Sequence, residues 1–373
     1  MSKIPVCSPL LSGNELAYVT EAVSTGWISS SGKYVAEFEK AFAAYCGVRH
    51  GIAVCNGTVA LHLALTALGI GPGDEVIIPD FTMIASAFAV CYTGAKPVFV
   101  DADEATWNMN ANLIEDGITS RTKAIMPVHI FGNPCDMAAL RRIAEKHALA
   151  VVEDAAEAHG AEFGGVKTGK LGDLAAFSFF ANKNITTGEG GMVVTDDGEL
   201  ARTCRYRKNL CFPPDAPRTY LHGDIGFNYR MSNLHAALGL AQTERADRYG
   251  ALRIRHGLLY RELLSSVPGI VLQEDQPEGK NVFWMNGLCV QPEEYGRRRD
   301  ELAARLAGNG VETRLFFNGM HRQPALKKYG CDCAGRYPVS DFLADNGLYL
   351  PSGSGLEETD IRHICKLILE YRR

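Results

Sequence analysis

Residues 149–157 read LAVVEDAAE, a short apolar run that ends in acidic side chains. A continuous apolar run of this length predicts a strand covered on both faces, as in a parallel sheet. Ligands of open α/β sheets bind at the carboxyl ends of such strands. Asp154 therefore stands where a carboxylate can meet a ligand, although a structural arginine or a helix N-terminus would serve equally well as its partner.

Similar apolar runs recur on both sides of this segment and alternate with helical stretches. The predicted strands are Glu75–Ile78, Pro97–Val100, Lys123–Val128, Leu149–Glu153, Ala175–Phe179 and Gly191–Thr195. The predicted helices cover 14–24, 34–46, 58–68 and 136–147. This alternation predicts an α/β fold with a parallel or mixed sheet covered on both faces.

The pattern changes near residue 245, after a proline-containing stretch, 211–224, that we interpret as a loop. Beyond it the sequence predicts a smaller α+β unit. Its elements are a helix over 242–265, a strand Val282–Val290, a helix over 297–309, a strand Val311–Phe316 and a final helix over 357–371. We therefore expect a large α/β domain over 1–245 and a small C-terminal domain over 246–373.

Length and composition narrow the class of protein. A chain of 373 residues with 46% apolar and 22% charged residues suits two packed globular domains. A net charge of −5 without a basic block disfavours nucleic acid as a partner. We expect a cytoplasmic protein, because there is no 18-residue apolar run and no apolar signal core.

The 11 cysteines include no C-x-x-C pair and are typical of reduced thiols. The close-set Cys331 and Cys333 offer only two ligands, so we expect surface thiols there and no metal site. Residues 164–170, GGVKTGK, nearly match a phosphate-binding loop, but Leu171 stands where the loop needs a hydroxyl. A glycine-rich hairpin explains that segment better. The sequence also lacks the G-x-G-x-x-G of a nicotinamide-binding domain.

Three segments carry chemistry. Asn56-Gly57-Thr58 opens a helical run, where backbone N–H groups form an anion cup or Thr58 simply caps the helix. Residues 177–191, FSFFANKNITTGEGG, run from a strand into a polar loop, where Lys183 is a Schiff-base amine or an exposed lysine. An anion cup, a strand-end carboxylate and a loop lysine are the three attachments that pyridoxal phosphate needs. Phe81 follows a predicted strand and offers an aromatic face for the cofactor ring.

With these segments in this order, the sequence resembles the sugar aminotransferases of the DegT/DnrJ/EryC1/StrS family, which use pyridoxal phosphate. The resemblance covers nearly the whole chain. It implies the fold-type I architecture of aspartate aminotransferase, with a mixed, mostly parallel seven-stranded sheet and a smaller C-terminal α+β domain. The matching motifs are GWISS (26–30), GKYV (32–35), NGTVALHLAL (56–65), EDAAEA (153–158), FSFFANK (177–183), TTGEGG (186–191) and GFNYRMSN (226–233).

The resemblance also implies residue roles around the cofactor ring. Lys183 holds the cofactor as an imine and moves the proton. Asp154 pairs with the pyridinium nitrogen, and Phe81 stacks on the ring. Glu157 occupies the position that approaches the phenolic oxygen, where glutamine is the commoner family residue.

The same resemblance implies how the phosphate is bound. Gly57, Thr58 and Ser178 match the family's phosphate ligands. Asn228 is similar to the asparagine that reaches the phosphate from the neighbouring subunit. We therefore expect a homodimer with shared active sites.

The resemblance further implies the reaction. Family members that dehydrate sugars carry histidine at the position of Lys183, so a lysine favours amination over dehydration, with glutamate as amino donor in a ping-pong reaction. A non-catalytic regulator would predict damage at Asp154 or Lys183, which the sequence does not show.

The acceptor is a nucleotide-linked keto sugar. Several segments are similar to members that aminate C4 of GDP-4-keto-6-deoxy-mannose, while UDP- and TDP-linked sugars and a C3 target stay open. Trp27, Arg314 and His321 are the predicted substrate contacts. For Arg314 a domain-interface ion pair is an equal alternative. The segments that carry this similarity are 26–30, 127–129, 132–137, 179–183 and 283–285.

Overall fold

The computed structural model describes residues 3–213, 217 and 219–372. We number its elements in chain order. The strands are β1 His50–Val54, β2 Glu75–Pro79, β3 Lys96–Val100, β4 Thr122–Ile125, β5 Ala150–Asp154, β6 Glu162–Phe163, β7 Val166–Lys167, β8 Leu174–Ser178, β9 Gly191–Thr195, β10 Ile270–Leu272, β11 Gly279–Lys280, β12 Asn286–Val290, β13 Arg314–Leu315 and β14 Gly347–Leu350. The helices are α1 Glu15–Ser24, α2 Lys33–Cys46, α3 Gly57–Ala67, α4 Ala85–Tyr92, α5 Met137–His147, α6 Gly198–Lys208, α7 Asn233–Thr243, α8 Ala246–Leu264, α9 Pro292–Tyr295, α10 Arg299–Gly308, α11 Pro324–Tyr329, α12 Pro338–Asn346 and α13 Glu358–Tyr371.

The central layer is a seven-stranded sheet with the order β1-β9-β8-β5-β4-β2-β3. Strand β9 runs antiparallel to both of its neighbours, and the other strand pairs are parallel. This confirms the expected mixed, mostly parallel sheet. Every strand except β9 therefore ends at the same edge, which is where the candidate site forms.

Helices cover both faces of this sheet, as its continuous apolar strands require. The buried side chains of α3 share one core with Val152 and Val193 of the sheet. On the other face, Phe38 and Phe42 of α2 pack with α7 and with Phe177 of β8. The strands end between these two layers, so side chains just beyond them are shielded from water on both sides.

A second, antiparallel sheet in the order β10-β12-β14-β13 packs with α8, α10 and α13 in the C-terminal part of the chain. The division at residue 245 stays a prediction, with one difference at the N-terminus. Ile4 forms a parallel bridge to Val311, and Ser352 donates its N–H to Val6 O. The first described residues therefore contact the predicted small domain as well as the large one, in which Val6 packs with Phe81 and Trp107.

Several predicted bounds are wrong for local reasons. The strand expected over Val282–Val290 begins only at Asn286, because Phe283 adopts a positive φ of 48° that breaks the extended chain. The strand expected over Lys123–Val128 ends at Ile125, two residues before Pro127, which has no N–H to donate.

Three other expectations change as well. The helix expected over 242–265 is α8, which begins only at Ala246, and residues 242–243 are the end of α7. The strand expected over Val311–Phe316 contains only β13. Cys331 is buried rather than a surface thiol, whereas Cys333 is half-buried.

The loop expected over 211–224 has neither helix nor strand where it is described, and residues 214–216 and 218 lie outside the described residues. None of the described helices has the length and apolarity that a membrane crossing needs.

Candidate active site

The predicted site residues converge on the edge where the parallel strands end. Asp154 is the last residue of β5, and Ser178 is the last residue of its neighbour β8. Lys183 lies in the loop that follows β8, and Phe81 follows β2. The fold thus gathers residues that lie about a hundred positions apart in sequence.

Asp154 is a buried carboxylate with few partners. The hydroxyl of Ser86 donates to its Oδ2 at 2.7 Å, and the N–H of Ala156 donates to Oδ1 at 3.2 Å. Burial raises the pKa of Asp154, while Ser86, Ala156 and the positive charge of Lys183 oppose that rise. Within the described part of the chain, no cation lies within ion-pair distance of it, so neither a structural arginine nor a helix N-terminus is its partner. A buried carboxylate without an ion-pair partner can accept a hydrogen bond from a protonated ring nitrogen.

Lys183 is buried, with 9% of its side chain exposed. Its Nζ lies 3.6 Å from the centroid of the Trp284 ring and 4.0 Å from Oε1 of Glu157. Burial lowers the pKa of Lys183, while Glu157 and Asp154 oppose the shift. An exposed loop lysine is therefore excluded, and the surroundings favour the neutral amine that a nucleophile or base requires.

Glu157 is buried beside this lysine. Its Oε2 accepts the N–H of Phe131 at 2.8 Å. Burial raises the pKa of Glu157 to about 7, against the opposing effects of Lys183 and the Phe131 N–H. Near neutral pH this side chain can therefore either accept or donate a proton.

The anion cup lies at the N-terminus of α3. The capping residue is Asn56, whose Oδ1 accepts the N–H of Val59 at 3.0 Å, so a cap by Thr58 is wrong. No hydrogen bond among the described residues uses the N–H of Gly57 or Thr58, and both remain available to an anion. A Cβ on Gly57 would lie 2.7 Å from Cβ of Ser178, which places the Ser178 hydroxyl beside the cup.

The other predicted contacts lie in different surroundings. Phe81 is buried, with its ring centroid 6.0 Å from that of Phe131. Asn228 is exposed, next to Tyr229, whose carbonyl accepts the N–H of Cys55 near the cup. Asn228 thus lies on the surface, where a second subunit can be reached.

The three predicted substrate contacts differ in how accessible they are. Trp27 is 59% exposed. The Arg314 side chain is 58% exposed and lies 3.7 Å from Glu312. Nδ1 of His321 forms a hydrogen bond with Oδ2 of Asp80 at 2.8 Å, and its Nε2 lies 3.2 Å from Oδ1 of Asp341. Trp27 and Arg314 are therefore available to a ligand, whereas His321 lies between two carboxylates.

The failed phosphate-loop match has a different explanation in the structure. The carboxylate of Glu153 accepts the N–H groups of Gly169, Leu171 and Gly172 at 2.7–3.0 Å. It also accepts from Nε2 of His129 at 3.0 Å, because Nδ1 of that histidine accepts the N–H of Cys135. The backbone N–H groups of the glycine-rich hairpin thus satisfy a buried carboxylate.

Sequence reasoning missed two residues that touch the predicted ones. Ser86 lies in α4, which was not predicted, and it reaches Asp154 from 68 positions away. Trp284 supplies the aromatic face under Lys183 and donates its Nε1–H to Asn182 O at 3.0 Å. Trp284 belongs to one of the motifs quoted above, and that membership was the one signal available in the sequence.

Polar atoms without partners flank the lysine. Oδ1 of Asn182 and both amide atoms of Asn184 are buried and have no hydrogen-bond partner in the described structure. Buried polar atoms are normally satisfied, so these atoms fit a site that takes a polar ligand. Together with Asp154 and the anion cup, they surround a largely buried amine at the sheet edge of an α/β fold, an arrangement that fits an enzyme with an anionic cofactor.

Comparison with known proteins agrees with this class. The family model described as the DegT/DnrJ/EryC1/StrS aminotransferase family matches residues 9–369. A GDP-perosamine synthase of Caulobacter vibrioides is 47% identical over 98% of this chain and 97% of its own. Another, of Escherichia coli O157:H7, is 42% identical over 100% of this chain and 99% of its own. Among solved structures, S. venezuelae DesV in complex with a ketimine intermediate is 36% identical, with a TM-score of 0.89 over 96% of this chain and 94% of that chain.

The chain therefore belongs to the DegT/DnrJ/EryC1/StrS aminotransferase family, and it is a transaminase. This confirms the resemblance and the preference for amination over a regulator or a dehydratase. The assignments of individual site residues stay predictions, and we develop them next.

Proposed function

We propose that this enzyme transfers an amino group from glutamate to C4 of GDP-4-keto-6-deoxy-mannose and forms GDP-perosamine, with pyridoxal phosphate as its cofactor. The observation that carries the proposal is the convergence of a buried amine, a strand-end carboxylate and an open helix N-terminus on one sheet edge. The choice of nucleotide and sugar is supported by the relatives named GDP-perosamine synthase at 47% and 42% identity.

The residues at this edge fit the cofactor. The N–H groups of Gly57 and Thr58 and the hydroxyl of Ser178 suit its phosphate. Asp154 suits a protonated ring nitrogen. Phe81 follows β2, whose carboxyl end lies on the same edge two strands from β5, and its ring offers an aromatic face. When bound, pyridoxal phosphate supplies an aldehyde that condenses with amines and a ring that acts as an electron sink.

Lys183 is the group that moves protons in this proposal. Its Nζ takes the proton from the amino-bearing carbon of the donor and later returns one to the carbon that receives nitrogen. The lowered pKa of Lys183 supports this role, because the neutral amine is the form that accepts a proton. Glu157, 4.0 Å away, is placed to stabilise the ammonium form between these transfers.

The chain's surface residues complete the proposal. We propose that the enzyme is a homodimer in which exposed Asn228 reaches the phosphate site of the partner subunit. Arg314 is the proposed contact for the diphosphate, because its side chain is largely exposed and its fork of donors suits phosphate oxygens. Trp27 and His321 are the remaining proposed substrate contacts, with His321 acting from its position between two carboxylates.

A substrate panel tests the proposal. The purified enzyme, loaded with pyridoxal phosphate, is incubated with glutamate and with GDP-, UDP- or TDP-linked 4-keto-6-deoxy sugars, and the nucleotide sugars are analysed by mass spectrometry. We expect the GDP-linked sugar to gain an amino group fastest. Preference for a UDP- or TDP-linked sugar would refute the nucleotide assignment, and loss of a hydroxyl in place of amination would refute the reaction.

A further inference from the structure

Arg253 in α8 is a buried cation without a carboxylate partner. Only 2% of the residue is exposed. Its donors reach Ser354 Oγ at 2.9 Å, Trp284 O at 2.8 Å, and both Cys7 Sγ and Asn182 O at 3.4 Å. None of these acceptors is a carboxylate, and no carboxylate within the described ranges forms an ion pair with Arg253.

An arrangement of this kind opposes stability. Arginine stays protonated in proteins, and a buried charge without a counter-ion costs several kcal/mol. Folds keep such local conflicts mainly where function requires them. The hydrogen-bond acceptors of Arg253 therefore indicate which part of the protein it serves.

Two of the four acceptors belong to the surroundings of Lys183. Asn182, whose carbonyl Arg253 binds, immediately precedes that lysine. Trp284, whose carbonyl Arg253 also binds, carries the ring on which Nζ of Lys183 rests, and its indole N–H binds the same Asn182 carbonyl. The guanidinium thus fixes both the peptide that precedes the lysine and the aromatic surface beneath its amine.

Resting on the proposed function, we propose that Arg253 is a positioning residue: from the small domain, it holds the Asn182 carbonyl and Trp284 so that the amine of Lys183 is fixed. Lys183 faces Glu157, Asp154, Cys7 and Arg253, and a further titratable neighbour is His159, whose pKa burial lowers to about 3. Burial is the largest influence on the pKa of Lys183, and it lowers the pKa. The first three neighbours raise it, and Arg253 lowers it. Arg253 is the one cation in this set.

The first test measures Lys183 in the protein without cofactor. Competitive labelling with acetic anhydride across a pH series, read at the Lys183 peptide by mass spectrometry, gives the midpoint at which its amine becomes reactive. In Arg253→Met we expect this midpoint to rise by about 0.5–1 pH unit, because a like charge is lost. Arg253→Lys keeps the charge and should leave the midpoint in place. Arg255→Met is the matched control, since this exposed arginine of the same helix pairs with Glu358.

The second test separates position from charge. Pyridoxal phosphate is added to each variant, and borohydride reduction followed by mass spectrometry measures the rate at which it becomes attached to Lys183. Arg253→Lys lacks the planar fork, so we expect attachment at least about fivefold slower than in the wild type. Trp284→Phe, which keeps a ring but loses the indole N–H, should also be slower. Thermal unfolding checks that each variant is folded.

The outcomes distinguish the two proposals. A folded Arg253→Met protein with the wild-type midpoint and attachment rate would overturn the positioning role. If that variant does not fold, wild-type attachment rates in both Arg253→Lys and Trp284→Phe overturn it instead. Failure of the wild-type protein to attach pyridoxal phosphate at Lys183 would refute the proposed function. The midpoint shift measured without cofactor would still test the effect of Arg253 on Lys183 independently.

Discussion

Replacing Ser86 with alanine removes the main hydrogen bond to the Asp154 carboxylate. The Ser86 hydroxyl donates to Oδ2 at 2.7 Å, and only the Ala156 N–H, at 3.2 Å, would remain. A hydrogen bond to a charged group contributes about 1.5–3 kcal/mol. We therefore expect Ser86→Ala to lower the free energy of unfolding of the cofactor-free protein by about 2 kcal/mol at pH 8. Loss of this donor also raises the pKa of Asp154 further.

The pH dependence of this loss follows from the raised pKa of Asp154. Between the unfolded and folded pKa values, the folded state binds more protons than the unfolded state, so its stability falls as pH rises through that window. Ser86→Ala widens the window upward, because it raises only the folded value. The difference between the variant and the wild type should therefore be smallest at acidic pH, where Asp154 is protonated in both folded proteins, and should reach its full size above the folded pKa of the variant.

Urea unfolding at pH 5 and pH 8 measures the loss of stability. Ser86→Ala also removes a contact with Thr82, whose Oγ1 lies 3.2 Å from the Ser86 hydroxyl. A double-mutant cycle with Asp154→Asn separates the hydrogen bond to Asp154 from that contact. In the Asp154→Asn background we expect Ser86→Ala to cost about 1 kcal/mol less at pH 8. Equal losses at both pH values, together with a coupling energy of zero, would refute the explanation.

Three further changes probe the rest of the site. Glu157→Gln should keep the rate of amino transfer within about tenfold of the wild type, because an amide still accepts the Phe131 N–H. Its pH–rate profile should lose an apparent pKa near 7. An unchanged profile would contradict the titration assigned to Glu157. Gly57→Ala places a Cβ 2.7 Å from Cβ of Ser178, so it should lower the free energy of unfolding by about 1–3 kcal/mol and weaken binding of pyridoxal phosphate. Gly250→Ala, which has open space around it, should do neither. Melting curves and a cofactor titration measure both effects, and equal behaviour of the two variants would contradict the close approach at the anion cup. Mixing inactive Lys183→Ala and Asn228→Ala proteins should restore about a quarter of the wild-type activity through hybrid dimers that contain one intact site, and no recovery after subunit exchange would refute a shared site.

The parallel part of the fold was predictable because each of its strands is a short apolar run between helices. β1 is the exception, since its five residues include Gly51 and follow α2 after three residues. A Cβ on Gly51 would lie 2.5 Å from Glu39 O, so the glycine serves the packing of α2 on β1 rather than the strand itself. The small domain was less predictable, because backbone breaks such as that at Phe283 leave no pattern in the sequence.

The candidate site also has a part that was predictable from the sequence and a part that was not. Lys183, Asp154 and Gly57 lie in local motifs, and strand direction alone brings them to one edge. Ser86 and Trp284 reach those residues through tertiary packing, from positions 68 and 102 residues away from their hydrogen-bond partners. No local periodicity marks such contacts, so only the folded chain reveals them.

The central claim is that the amine of Lys183 enables nitrogen transfer from glutamate to a GDP-linked keto sugar. A single-turnover experiment with nitrogen-15 glutamate and GDP-4-keto-6-deoxy-mannose, comparing the wild type with Lys183→Ala after both are loaded with pyridoxal phosphate, tests it directly. We predict one labelled nitrogen in the GDP-sugar from the wild type and none from the variant. Labelled product from Lys183→Ala at a near-normal rate, or unlabelled sugar from the wild type, would contradict the claim.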